Sequence, residues 1–112
     1  MGLDQYASTV DANNNTTELA TWRKHPNLQG WMEGLYRARG GEDEFNCVDL
    51  ELTLADLDML EGAVKGSDLP STAGFFFGGD SDEHYKEEDL EFIAKARVEL
   101  ENGNKVFYSS WW

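Results

Sequence analysis

The sequence has 112 residues and a mass of 12.6 kDa, the size of one small domain. Its 9 basic and 22 acidic residues give a formal net charge of −13 at pH 7. Non-specific binding to nucleic acid or to anionic membranes needs positive charge, so this composition excludes both. The single cysteine, Cys47, excludes an internal disulfide framework, and neither a membrane span nor a secretory signal is visible. We therefore predict one acidic globular domain over residues 1–112.

The beginning of the chain predicts one strand and one short helix. Residues 2–8 alternate weakly between apolar and polar side chains and are expected to form an edge strand. Asn15, followed three residues later by Glu18, is a typical helix start. Pro26 disfavours helical geometry at the residue before it, so this short helix is expected to end there.

Five more elements follow from the spacing of the apolar residues. They are a helix from Pro26 to the Gly40-Gly41 stop, a strand over 45–52, a helix over 54–65 capped by Thr53, a helix from about Lys86 to Glu101 and a strand over 105–111. The stretch 66–82 is predicted to be irregular because it contains Pro70 and several glycines. The predicted fold class is α+β, with a small mixed or antiparallel sheet of about three strands packed with about four helices.

The apolar stripes of these helices predict one shared core. Its expected members are Trp31, Leu35, Leu57, Leu60, Leu90 and Ile93. The strands near 46–52 and 104–110 are expected to lie in the same sheet. The acidic positions of the helix over 54–65 are expected to be solvated; they are Asp56, Asp58 and Glu61.

The charge is unevenly distributed along the chain. Residues 1–41 contain four basic and four acidic residues, so residues 42–112 carry the whole net charge. Arg23, Lys24 and His25 are the only three consecutive residues that can all be positive, and the next helix begins beside them. The first turn of a helix has free backbone N–H groups that favour anions. The predicted ligand site comprises Trp22, Arg23, Lys24, His25, Asn27, Phe75, Phe76 and Phe77.

The run Phe75-Phe76-Phe77, flanked by glycines, admits two interpretations. It is either a buried segment that closes the core or an aromatic wall of a ligand pocket. The pair Trp111-Trp112 is open to the same two interpretations. In the same way, Arg23 and His25 could pair with acids and cap helices instead of contacting a ligand.

The sequence contains no convincing metal or catalytic motif. Asp80, Asp82 and Glu91 have the spacing of a calcium loop, but Tyr85 replaces the glycine that its sharp turn requires. The acidic segment is therefore expected to be a solvated surface, and calcium or zinc is not expected to change the melting temperature. We predict no metal and no cofactor. An enzyme acting on a nucleotide, with His25 as acid or base, remains an alternative.

Four blocks of the sequence resemble a family of small proteins of tailed phages, common in marine and cyanobacterial viruses. They are Met1-Gly-Leu-Asp-Gln-Tyr6, the block from Trp22 to Trp31, the segment from Leu69 to Gly78 and the ending Tyr108-Ser-Ser-Trp-Trp112. Members of this family often carry the label "phosphoglycerate kinase". That enzyme has two large lobes and a much longer chain, and this sequence has no phosphate loop. The resemblance therefore implies a phage accessory protein in the cytoplasm of a bacterial host, without that activity.

Beside the enzyme alternative, the sequence favours two functions, and both are binding functions. In the first, the protein captures a small anionic or nucleotide-like ligand, such as a host defence signal, through cationic groups and aromatic faces. In the second, it is an acidic inhibitor or nucleic-acid mimic that binds a host protein. The acidic surface would comprise Asp80, Asp82, Glu83, Glu87, Glu88, Asp89 and Glu91. The sequence indicates no particular oligomeric state.

Overall fold

The computed structural model describes residues 3–23, 25–42, 44–45, 48–66 and 82–111. Over these residues an antiparallel sheet of four strands packs against three helices. The elements are β1 (Asp4–Val10), β2 (Thr16–Arg23), α1 (Pro26–Ala38), β3 (Leu50–Leu52), α2 (Leu54–Lys65), α3 (Asp82–Glu101) and β4 (Lys105–Trp111). The strand order is β2-β1-β4-β3. The predicted α+β class is confirmed, with one strand more and one helix fewer than expected in the described part.

The helix predicted between Asn15 and His25 is wrong, because these residues form strand β2. A tight loop reverses the chain between β1 and β2. In this loop the carboxylate of Asp11 accepts hydrogen bonds from the backbone N–H groups of Asn13 and Asn15, each at 2.9 Å. Asn14 takes the left-handed conformation, with φ of 63°, which asparagine tolerates better than most residues.

The loop explains why the local helix signal fails. It places the following residues alongside β1, and the two strands pair from Asp4 opposite Arg23 to Val10 opposite Thr16. Threonines at 16, 17 and 21 favour an extended strand, since their β-branched side chains fit a pleated surface. The edge position predicted for the first strand is also wrong. β1 lies between β2 and β4, and β2 forms the edge.

The two central helices lie where the apolar spacing predicts them. α1 runs from Pro26 and is followed by Gly40, whose φ of 87° suits the end of a helix. α2 begins after Thr53, whose side chain accepts the backbone N–H of Asp56. The carboxylate of Asp56 accepts the backbone N–H of Thr53 in return, at 2.8 Å. Asp56 is buried and also pairs with Arg39, which corrects the prediction that it is solvated.

The strand predicted over 45–52 is shorter than expected. Only Leu50–Leu52 pairs with β4, and residues 46 and 47 lie outside the described part of the chain. Phe45 is not part of β3, and its ring stacks on the rings of Tyr36 and Tyr108, at centroid distances of 5.0 and 6.2 Å. The prediction that this strand and the last one share a sheet is confirmed.

The helices cover one face of the sheet and form the core there. Leu57, Leu60 and Ile93 are at most 1% exposed, whereas Trp31, Leu35 and Leu90 are partly buried against the same cluster. The other face of the sheet carries Tyr6 and Trp111, which are 40% and 64% exposed. Among the described helices, none combines the length and the apolar character needed to cross a membrane.

Candidate functional site

Three residues of the predicted ligand site lie in the core. Trp22, His25 and Asn27 are 3%, 0% and 2% exposed. His25 lies in the connection between β2 and α1, and its side chain points beneath the sheet toward α3. In this conformation its ring is therefore not accessible to a ligand from solvent.

The centre of this buried cluster is the carboxylate of Asp89. One oxygen, Oδ2, lies 2.8 Å from Nε2 of His25, and the other, Oδ1, accepts Nε1–H of Trp22 at 2.9 Å. The indole N–H of Trp22 is a donor only, so this oxygen of Asp89 accepts. The ring of Tyr85, one helical turn before Asp89, stacks on the ring of His25 at 4.6 Å. Its hydroxyl donates to the backbone carbonyl of Arg23.

A second set of buried hydrogen bonds joins this cluster to the middle of the sheet. The side chain of Gln5, on β1, accepts the backbone N–H of His25 at 2.8 Å and donates to its carbonyl at 3.0 Å. It also donates to the hydroxyl of Tyr108, at 2.9 Å, and that hydroxyl donates to Gln29 at 2.6 Å. These bonds hold the start of α1 against β1 and β4. The cluster can thus position the β2–α1 connection, which is a structural task.

The position of Asp89 corrects one predicted member of the acidic surface. Asp89 is 1% exposed, whereas Glu87, Glu88 and Glu91 on the same helix are exposed. The helical period explains the difference, because Asp89 lies on the same face as the core residues Phe92 and Ile93. Asp80 lies outside the described residues, and the side chains of 82–84 are not described.

Burial raises the pKa of Tyr108 well above its usual range, while the hydrogen bond from Gln5 lowers it by less. The neutral phenol is therefore favoured in the folded state. In the unfolded chain a solvated tyrosine ionises with a pKa of about 10. The stabilisation from neutral Tyr108 is therefore complete below about pH 10 and is lost progressively above it.

We predict that the free energy of unfolding of the wild type falls more steeply above about pH 10 than that of Tyr108→Phe. The extra slope should approach about 1.4 kcal/mol per pH unit. Urea unfolding of both proteins at neutral pH and at about pH 11 measures it. Parallel pH dependences of the two proteins would contradict the assignment.

An open groove of about 430 Å³ lies at the end of the edge strand β2. It is lined by Asp4, Tyr6, Thr21, Trp22, Arg23, Tyr85 and Glu88. Of the predicted site residues it contains Trp22 and Arg23, whereas Lys24 and Phe75, Phe76 and Phe77 lie outside the described residues. The predicted ligand site does not include Tyr6, Tyr85 and Glu88, and Glu88 belongs to the predicted acidic surface instead. The alternation of side chains along β1 and β2 could have placed Tyr6 beside Thr21, had β2 been recognised as a strand.

The arginines are engaged by carboxylates of the same chain. The pairs are Arg23–Asp4, Arg37–Glu33, Arg39–Asp56, and Arg97 with both Asp58 and Glu61. The hydrogen bond from Arg97 lowers the pKa of Glu61, and the same contacts raise the pKa of Arg97. The Arg23–Asp4 pair is the loosest of these, with 3.9 Å between Nε and Oδ1 and 83% of the Arg23 side chain exposed.

No group of three or more potential metal ligands comes together in the part of the chain that the structure describes. Asp80, the first residue of the calcium-like segment, lies outside that part, while Asp82 lies in the first turn of α3. The expectation that this segment binds no calcium or zinc stays a prediction.

The fold and the buried cluster define a small α+β domain with a hydrogen-bonded polar core and an acidic composition. Comparison with known proteins found no matching family, no matching curated protein and no matching solved structure. The resemblance to small tailed-phage proteins stays a prediction from the sequence blocks quoted above.

Proposed function

We propose that this protein acts by binding, and that its partner is a protein with a basic surface. The observation that carries the proposal is the distribution of charge. The arginines are paired with internal carboxylates, while a surplus of acidic side chains is exposed. The exposed acids in the described residues include Glu18, Glu42, Glu44, Asp49, Glu51, Glu87, Glu88, Glu91 and Glu101. Such a surface attracts cationic partners and accelerates their association.

The first half of α3 is the part of this surface that we assign to the contact. Glu87 and Glu91 lie one turn apart on its solvent side, and Glu88 faces the groove beside β2. Of these, Glu91 is paired on the same helix, with Lys95 at 3.5 Å. An exposed pair of this kind contributes little and exchanges readily for a partner's cation.

Capture of a small anion is less well supported by the same geometry. Arg23 is paired with Asp4, and the ring of His25 is buried against Asp89. Two of the three cations that define the predicted anion site are therefore already engaged. If the phage resemblance holds, the basic partner would be a protein of the bacterial host, such as one that binds nucleic acid through the same basic surface.

Isothermal titration calorimetry with three probes tests the proposal. The probes are an arginine-rich peptide, an acidic peptide of equal length, and ATP. We expect the arginine-rich peptide to bind, and its affinity to fall steadily as salt is added, because screening weakens contacts between exposed charges. Neither the acidic peptide nor ATP should bind. Binding of ATP alone would favour anion capture, and no binding of the basic peptide at low salt would contradict the proposal.

A pair of charge-matched variants locates the contact. Glu87→Gln/Glu91→Gln removes two charges from α3, and Glu18→Gln/Glu51→Gln removes two charges from the sheet. We expect the first variant to bind the arginine-rich peptide several-fold more weakly than the wild type, and the second variant to lose less affinity. The reverse order would move the contact to the sheet and contradict its assignment to α3.

A further inference from the structure

We propose that the groove beside β2 binds the guanidinium group of an arginine from the basic partner. This inference rests on the proposed function and specifies the group that the protein recognises. The groove is formed around the edge strand, with Asp4, Tyr6 and Thr21 on the open face of the sheet and Tyr85 and Glu88 on α3.

Strand pairing and helix geometry bring these side chains together. Tyr6 lies opposite Thr21, and Asp4 lies opposite Arg23, so the four occupy two adjacent rows of the open sheet face. Tyr85 and Glu88 are three residues apart on α3, which places them on the same side of that helix. The hydroxyl of Tyr85 donates to the backbone carbonyl of Arg23 and so attaches α3 to the end of β2.

The chemistry of the groove suits a planar cation. Asp4 and Glu88 supply carboxylates, which accept the parallel N–H groups of a guanidinium. Tyr6 is 40% exposed and supplies an aromatic face on which a guanidinium can stack. The delocalised guanidinium of arginine uses both kinds of contact, whereas the ammonium of lysine acts mainly as a point charge. The groove is therefore expected to prefer arginine over lysine.

The net negative charge of the groove favours a cationic ligand over an anionic one. Asp4 and Glu88 outnumber Arg23 among the charged residues of the groove, and the whole chain carries −13. The side chain of Arg23 is 83% exposed and 3.9 Å from Asp4, so it can move into solvent at little cost. Its departure would leave the carboxylate of Asp4 to the incoming guanidinium.

The test compares three peptides of one design, in which alternate positions are arginine, lysine or citrulline. Citrulline has the shape of arginine without its charge. Binding to the wild type is measured by calorimetry at about 0.1 M salt, where the screening length is about 10 Å. We expect arginine to bind about threefold to tenfold more tightly than lysine, the range that one stacking and one paired hydrogen-bonding contact supply. The citrulline peptide should bind weakest.

Four variants distinguish the groove from the general negative charge. Glu88→Gln and Tyr6→Leu alter the groove. Glu101→Gln makes the same change elsewhere on α3, and Phe107→Leu removes another aromatic ring from the open sheet face. Glu101 is thirteen residues along the helix from Glu88, which is about 20 Å and beyond the screening length. We expect each groove variant to bind the arginine peptide about threefold more weakly than the wild type does. The ratio of its affinities for the arginine and lysine peptides should fall as well. The controls should change neither value by more than about twofold.

The outcomes separate the two proposals. If the arginine and lysine peptides bind equally, and Glu88→Gln behaves as Glu101→Gln does, the groove proposal is wrong while binding to basic partners stands. If no basic peptide binds the wild type, both proposals are wrong. Circular dichroism of every variant establishes that a lost affinity does not come from unfolding.

Discussion

Replacing Asp89 with alanine is expected to lower the free energy of unfolding by several kcal/mol, because each buried polar group that loses its hydrogen-bond partner costs about 1–3 kcal/mol. Asp89 is 1% exposed, and its two oxygens hold Nε2 of His25 and Nε1 of Trp22. The substitution leaves both nitrogen groups buried without this hydrogen-bond partner. Urea unfolding followed by circular dichroism measures the change.

Glu87→Ala, two residues earlier on the same helix, is the matched control. Glu87 is exposed, and in a chain of net charge −13 its removal should change the stability by less than about 0.5 kcal/mol. If Asp89 were one more solvated acid of α3, the two variants would behave alike. Equal stabilities of Asp89→Ala and Glu87→Ala would therefore contradict the buried, hydrogen-bonded position of Asp89.

Trp22→Ala is expected to cost about 3–5 kcal/mol, the range for truncating a large aromatic residue in a core. Trp22 is 3% exposed, and its ring packs edge-on against the ring of Phe92 with the centroids 5.1 Å apart. Truncation also removes the hydrogen bond that its indole donates to Asp89. The same unfolding experiment gives the loss, and the near-ultraviolet circular dichroism of the indole should change with it.

The control for this variant is the same substitution at Trp111. That residue is 64% exposed on the open face of the sheet, so Trp111→Ala should cost less than about 1 kcal/mol. The comparison also tests the prediction that Trp22 belongs to a ligand site. A Trp22→Ala protein that kept the wild-type stability but lost a ligand would support the pocket and contradict the core position.

Much of the fold follows from local signals that are strong in this sequence. The bounds of α2 coincide with the prediction because the apolar residues repeat at helical spacing and Thr53 forms a capping box with Asp56. α1 is equally well defined by Pro26 at its start and Gly40 after its end. The last strand is predicted correctly because its alternating side chains follow a helix that ends at a glycine with positive φ, Gly103.

The candidate groove could be predicted only in part. Arg23 and Trp22 were recognised because cationic and aromatic residues are conspicuous in an acidic chain. Tyr6 and Tyr85 are not predicted, and Glu88 is predicted only as part of the acidic surface. These residues come from a distant strand and from α3, and no local pattern indicates that the two elements meet at the edge of β2. Recognition of the groove depended on knowing that β2 is a strand.

The sequence by itself determined the charge, the fold class and the elements whose periodicity is strong, because propensities, caps and apolar spacing act over a few residues. Only the tertiary structure decided that residues 16–23 pair with β1 as a strand, because that pairing satisfies their backbone groups along a neighbouring strand. It also decided that Asp89 is buried while the adjacent glutamates are not. The physical reason is that a buried carboxylate needs donors, and the indole of Trp22, which donates to Asp89, lies 67 residues away in the sequence.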